Sequence, residues 1–159
     1  GTEGDNDALD CPVEVLERSF AINTKSHFLA TQAALPVMLE RGGGAMIYTS
    51  SGAATGGAPW QVAYPMTKNA IHALVRHVAA KWGKQGIRAN GISPGVVLTE
   101  VAKPHLTDEY VETALKGVPH TRLGQPEDIA AAVAFLASSD GEWVNGQVWH
   151  VNGGMIKRD

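Results

Sequence analysis

Tyr64 and Lys68 stand four residues apart in the stretch YPMTK, so a helix running through position 64 puts a phenol and an ammonium on one face, one turn apart. Pro65 suits such a helix only in its first turn, where its missing N–H would have had no partner. A phenol ionises near pKa ~10, roughly 3 units above neutrality, so using one as an acid/base there takes about 4 kcal/mol. One ammonium at ~4 Å, with an effective dielectric near ~20, supplies about that much. The pair is therefore sufficient for proton transfer, while the same five residues also suit a plain helix start. Further hydroxyls fall at useful places: Ser50 and Ser51 end an apolar run, Ser51 precedes Tyr64 by 13 residues, and Thr99 follows the turn at Pro94 and Gly95.

These residues need a frame that gathers them. Val15, Leu16, Ser19, Phe20 and Asn23 share one face at helical spacing, and a helix is predicted from about 12 to 40, with a kink or break at Pro36. RGGG (41–44) ends it, its glycines supplying a left-handed cap. AMIYTSS (45–51) reads as a buried parallel strand and GAATGGAPW as a flexible loop. A second helix is expected from about 61 to 83, where Ile71, Leu74, Val75, Val78, Ala79 and Trp82 form a stripe for a core or a subunit interface. GIRANGIS (86–93) is a second strand, 95–122 has weaker helical periodicity, 125–139 is a helix with Pro126 in its first turn, and QVWHV (147–151) is a last strand. Strands and helices that alternate in this way imply parallel crossovers and an α/β layered fold. Three strands make a narrow sheet whose first strand would leave an edge exposed.

Composition narrows the partners. The chain has 159 residues, a net charge of −3 and no cluster of Lys and Arg, which points away from nucleic acid and anionic membrane and toward a small molecule. The lone Cys11 excludes an internal disulfide and implies a reducing compartment, with the cytoplasm as the expected location. No apolar run is long enough for a membrane span. TSSG has no glycine two residues before either serine, so it is not a hydrolase nucleophile elbow, and the six histidines form no HExxH.

In order and spacing, FAINTKSHFLATQAALP, IYTSS, YPMTK, IRANGISPGVVLTE, GQPEDIAAAVAFLAS and GQVWHVNGG resemble the short-chain dehydrogenase/reductase family from about Phe20 to Gly154. The resemblance implies a Rossmann-like doubly wound parallel sheet, here only its last three strands with their helices. It also implies hydride transfer between NAD or NADP and an alcohol or ketone. Tyr64 would be the general acid/base and Lys68 would lower its pKa and hold the nicotinamide ribose. Ser51 would hydrogen-bond the substrate oxygen, and Asn23, where the family's helix bends, would hold a relay water. Pro94, Gly95, Val97 and Thr99 resemble the loop on the nicotinamide. Each has a plainer reading beside it: Ser51 as a strand-end cap, Asn23 as a helix irregularity, Thr99 as the cap of the next segment. VVLTEVAKPHLTDEYVETALKGVPHTRLG (96–124) reads as a substrate lid, with Trp60 lining the same pocket, and VNGG (151–154) carries Asn152 where the family more often has aspartate, in a turn that is mainly structural. The family's usual interface implies a dimer or tetramer through helices 12–40 and 61–83.

No glycine-rich GxxxGxG or GxGxxG turn is found, and Gly1 matches the last glycine of the family's NNAG. The expectation is the carboxyl-terminal part of a longer Rossmann-like domain, with a catalytically silent fragment or assembly module as the alternative. The 159-residue chain by itself is expected not to turn over and not to bind NAD(P)H tightly. A fluorescence titration of the purified chain checks this, and micromolar affinity would contradict it.

Overall fold

The computed structural model describes residues 2–102 and 106–157. Pro12, extended at φ −64°, ψ 143°, leads into α1 (Val13–Ser19), and its carbonyl accepts the N–H groups of Val15 and Leu16. The chain then widens into one π-helical stretch, Phe20–Lys25, and continues as α2 (Ser26–Glu40). The predicted break at Pro36 does not occur, since α2 runs through it to Glu40. The carbonyl that Pro36 leaves without a partner belongs to Gln32, which is exposed, so water can take the place of the missing N–H. The irregularity lies instead at Phe20–Lys25 and contains Asn23.

Glycine ends α2 as expected. Gly42 (φ +83°) and Gly43 (φ +143°) turn the chain left-handed, and their N–H groups return to the carbonyls of Leu39 and Met38 at 3.1 and 2.9 Å. A side chain on Gly43 would meet the Gly86 carbonyl at 2.6 Å, so glycine is needed there for close approach as well as for conformation.

Strands β1 (Gly44–Thr49), β2 (Ile87–Pro94) and β3 (Val148–Val151) form a parallel sheet in that order. Gly44 lies opposite Ile87 and Thr49 opposite Ile92, while Gly91 lies opposite Val148 and Pro94 opposite Val151. Among the described residues β1 pairs with β2 alone, leaving its other edge without a strand. The loop predicted after β1 contains a helical turn, α3 (Ala53–Gly56), because its alanines accept helical geometry and the Ser51 hydroxyl takes up the Ala53 N–H.

The long helix α4 (Ala63–Trp82) lays Ile71, Val75 and Val78, all fully buried, on Met46, Tyr48, Ile87 and Ala89, with Leu35 of α2 alongside. The stripe read from the sequence is thus core, with Leu74, Ala79 and Trp82 packed at its margin. Among the described residues of the 95–122 segment, only α5 (Asp108–Lys116) is helical, capped by the Thr107 hydroxyl. The helix α6 (Pro126–Ala137) covers the other face of the sheet. Val148 packs into the α4 core while its neighbour Trp149 stacks on Phe135 of α6 at 5.4 Å, and successive strand residues point to opposite faces. From the same face Arg88 reaches the carbonyls of Leu136, Ser138 and Gly141 and satisfies the end of α6. No described helix is long and apolar enough to cross a membrane.

Ile71→Ala is expected to lower unfolding stability by about 3 kcal/mol, as a full-sized cavity in this core would. Urea unfolding followed by circular dichroism checks it, and a loss below ~1 kcal/mol would mean that α4 does not hold the sheet.

Candidate active site

Helix α4 begins at Ala63, so Tyr64 and Pro65 both lie in its first turn and Lys68 follows one turn on. The Lys68 ammonium sits 5.8 Å from the centre of the Tyr64 ring, within cation–π reach. It is buried, with 8% of its surface exposed, and donates to the Thr49 carbonyl at the end of β1 at 3.1 Å. That burial lowers the lysine below its ordinary pKa. An ammonium has three hydrogens to place. Among the described residues one is placed on protein, so two remain for another acceptor.

The strand end is tied to this helix. Ser50 N–H continues the ladder to the Ile92 carbonyl at 2.8 Å, and Gly52 N–H reaches the Pro94 carbonyl at 3.0 Å. Ser50 Oγ, buried, donates to the Lys68 carbonyl at 3.2 Å and meets His72 Nε2 at 2.6 Å. With the Ser50 hydrogen committed to that carbonyl, His72 must donate from Nε2. Ser51 is half-buried at the strand end, and its Oγ accepts the Ala53 N–H at 3.2 Å, which is the cap geometry. Asn23 sits in the π-helical turn, where its amide donates to the Ser19 carbonyl. Its own carbonyl accepts from His27 Nδ1 at 2.5 Å. The neighbouring Thr24 hydroxyl donates to the Thr67 carbonyl at 3.0 Å, fastening this turn to α4 one residue before Lys68.

After β2, Gly95 packs so closely on β3 that an added Cβ would lie 2.8 Å from that of Asn152. Val97 bridges in parallel to Gly124, and the Thr99 hydroxyl accepts the Ala102 N–H at 3.1 Å, again a cap. Asn152 is buried and its Oδ1 takes the Gly154 N–H at 3.0 Å, so this turn is structural as expected. Trp60 is 69% exposed, and the cavity beside residues 118–124 does not include it. That cavity, about 300 Å³, is lined by Val96, Val118, His120, Leu123, His150 and Asn152 among others; neither Tyr64 nor Lys68 reaches it. Lid residues 103–105 lie outside the described residues.

Three features carry no signal that local pattern reading could catch. Asp5 binds the amino end of α4 from far upstream in sequence. The Thr49 carbonyl holds Lys68, and His72 buttresses Ser50. A fourth was legible in principle: in RLGQPED, Asp128 accepts the Gln125 N–H as a helix-start carboxylate and takes a bidentate pair from Arg122 at 2.6 and 2.8 Å. Those hydrogen bonds hold the Asp128 carboxyl far below its usual range. Among the described residues no group of three His, Cys, Asp or Glu side chains is arranged to hold a metal ion.

An open parallel sheet covered by helices on both faces, with a Tyr–Lys pair beside its carboxyl end, belongs to the Rossmann-like α/β class. Within it the chain belongs to the short-chain dehydrogenase/reductase family: the model described as enoyl-(acyl carrier protein) reductase matches residues 1–156. It is 41% identical over 152 residues to L-rhamnose 1-dehydrogenase (NAD(P)(+)) of Sphingomonas sp. strain SKA58, covering 92% of this chain and 59% of that protein. It is 38% identical over 149 residues to 7alpha-hydroxysteroid dehydrogenase of Escherichia coli K12, covering 94% of this chain and 58% of that one. A short-chain type dehydrogenase/reductase from Mycobacterium ulcerans superposes with a TM-score of 0.92 at 29% identity, covering 98% of this chain and 57% of that one. A structure of 7 alpha-hydroxysteroid dehydrogenase complexed with NADH and 7-oxo glycochenodeoxycholic acid superposes with a TM-score of 0.86 at 36% identity, covering 96% of this chain and 60% of that one. The chain thus spans under two-thirds of the length of these relatives.

Burial is the first cause holding both His27 and His72 below the ordinary histidine value. The Lys68 charge adds to it at His27, and the Arg76 and His150 charges add to it at His72. A base depressed in the folded state takes up protons first in the unfolded state. Stability is therefore full above about pH 6.5 and falls as pH drops below it, by at most ~1.4 kcal/mol per pH unit for each histidine. His72→Asn is expected to flatten the decline between pH 7.5 and 5.5 in urea midpoints, and an unchanged slope would contradict the assignment.

Proposed function

We propose that the whole protein is an NAD(P)-dependent oxidoreductase that interconverts an alcohol and a carbonyl on a small molecule, with Tyr64 as its general acid/base. The observation that carries this reading is the buried Lys68 ammonium beside the Tyr64 ring, with two hydrogens available to an outside acceptor. A vicinal ribose diol fits that donor set, and the nicotinamide when bound supplies or accepts the hydride. Lys68 would hold the diol, and the loop at Pro94, Gly95, Val97 and Thr99 would border the ring. Tyr64 would give its hydroxyl proton to the carbonyl oxygen during reduction and take it back during oxidation, while Ser51 exchanges its contact with Ala53 for one to that oxygen. Asn23 would serve the proton path behind Lys68.

The pyrophosphate and adenosine need a glycine-rich strand-to-helix turn, and among the described residues no such turn follows a strand. The chain is accordingly proposed to act as the carboxyl-terminal part of one domain whose nucleotide-binding half pairs with the open edge of β1. The relatives named for rhamnose and 7alpha-hydroxysteroid oxidation favour a hydroxylated small molecule as substrate. Exposed Ile22, Phe28, Leu29 and Val37 on the first helical run support assembly into a dimer or tetramer through that run and α4. The same residues favour, as a second reading, a silent assembly module that binds no nucleotide.

Tyr64→Phe in the protein that joins this chain to its nucleotide-binding half should lower turnover by ~10³-fold or more while NAD(P)H affinity and oligomeric state stay unchanged. Turnover within tenfold of the parent would overturn the assignment of Tyr64. Absence of NAD(P)H binding in the parent, with assembly intact, would favour the silent module.

A further inference from the structure

The first turn of a helix has N–H groups with no partner inside the helix, and α4 carries its chemistry in that turn. No side chain of its own satisfies them. Asp5 does so from 59 residues upstream: Oδ1 accepts the N–H groups of Val62 and Ala63 at 3.2 and 3.0 Å, and Oδ2 accepts that of Tyr64 at 2.8 Å. The adjacent Asn6 carbonyl takes a second bond from Val62 N–H at 2.9 Å. Asp5 is held in turn by the Cys11 thiol, 3.6 Å from Oδ1, while the segment around it is pinned to α1 by Arg18 on the Glu3 carbonyl and by Ser19 on the Thr2 hydroxyl. A carboxylate that spans two N–H groups with one oxygen and a third with the other fixes the azimuth of the turn, which a single-oxygen cap does not.

We infer that Asp5 is the positioning residue of the Tyr64–Lys68 pair: it sets where the phenol points by holding the Tyr64 N–H, and its charge faces the same turn. This rests on the oxidoreductase reading of Tyr64. Burial works against the Asp5 charge, but the three N–H groups and the thiol outweigh it and keep the carboxyl below its ordinary value, so it is ionised wherever the enzyme would work. Its titratable side-chain contact is the Cys11 thiol on its own segment, and on α4 it meets the Tyr64 main-chain N–H.

The test uses the protein that joins this chain to its nucleotide-binding half, with Asp5→Asn, which removes the charge and one acceptor, and Asp5→Glu, which keeps the charge on a longer arm. For Asp5→Asn the expected result is a fall in turnover of about tenfold with KM changed less than about twofold. Asp5→Glu, which keeps both acceptor oxygens for the turn, should recover part of that loss. An active parent whose Asp5→Asn variant loses turnover only in proportion to its unfolded fraction, with Asp5→Glu no better, overturns the positioning role alone. A parent inert toward NAD(P)+ and a panel of alcohols overturns the enzyme reading and the positioning role with it.

Discussion

Everything at this site depends on the burial of one face of α4 against the sheet. Ile71, Val75 and Val78 have no exposed surface, and they press on Ile87 and Ala89 of β2 and on Met46 and Tyr48 of β1. Removing about 25 cal/mol worth of apolar surface from water per Å² is non-directional, so it fixes how close the helix lies but not how it is rotated. Rotation is set by polar contacts at the end where Tyr64 and Lys68 stand: the Lys68 ammonium on Thr49, Ser50 on the Lys68 carbonyl, and Thr24 on the Thr67 carbonyl. Apolar packing and directional bonding are thus divided between the two ends of one helix.

The polar end is assembled from four distant pieces of chain. Residues 5–6, 23–24 and 49–50 each contribute a donor or acceptor to residues 62–68 of α4, and the π-helical turn is one of the contributors. Such a site is preorganised by long-range contacts, so its geometry is a property of the folded sheet and not of the YPMTK stretch alone.

That division explains what could be read from the sequence. Alternation of strand and helix, the stripe on α4, the glycine cap after α2 and the parallel sense of the strands follow from periodicity, turn chemistry and crossover rules. The face of the first helix was only partly legible: Val15 and Ser19 are buried, but Leu16 and Phe20 are not fully so. Pro36 produces no break, because the carbonyl it leaves without an N–H belongs to an exposed residue that water can reach. The helical turn at Ala53–Gly56 was missed, since loop residues follow whatever the neighbouring elements leave open. Thr49, His72 and above all Asp5 were invisible, because their partners lie far along the chain and a helix cap supplied from outside leaves no mark beside the helix.

The π-helical turn has a geometric result of its own. From Ser19 to Thr31 is 12 residues. At ~100° per residue an unbroken α-helix would rotate Thr31 about 120° away from the Ser19 face, whereas one extra residue absorbed in the wide turn leaves it only about 20° off. Ser19 and Thr31 are both buried, as are Val15 and Leu35 at four residues outward on either side. The wide turn therefore acts as a phase corrector: it lets α1 and α2 turn one common face inward although the number of residues between their buried positions does not fit the helical repeat.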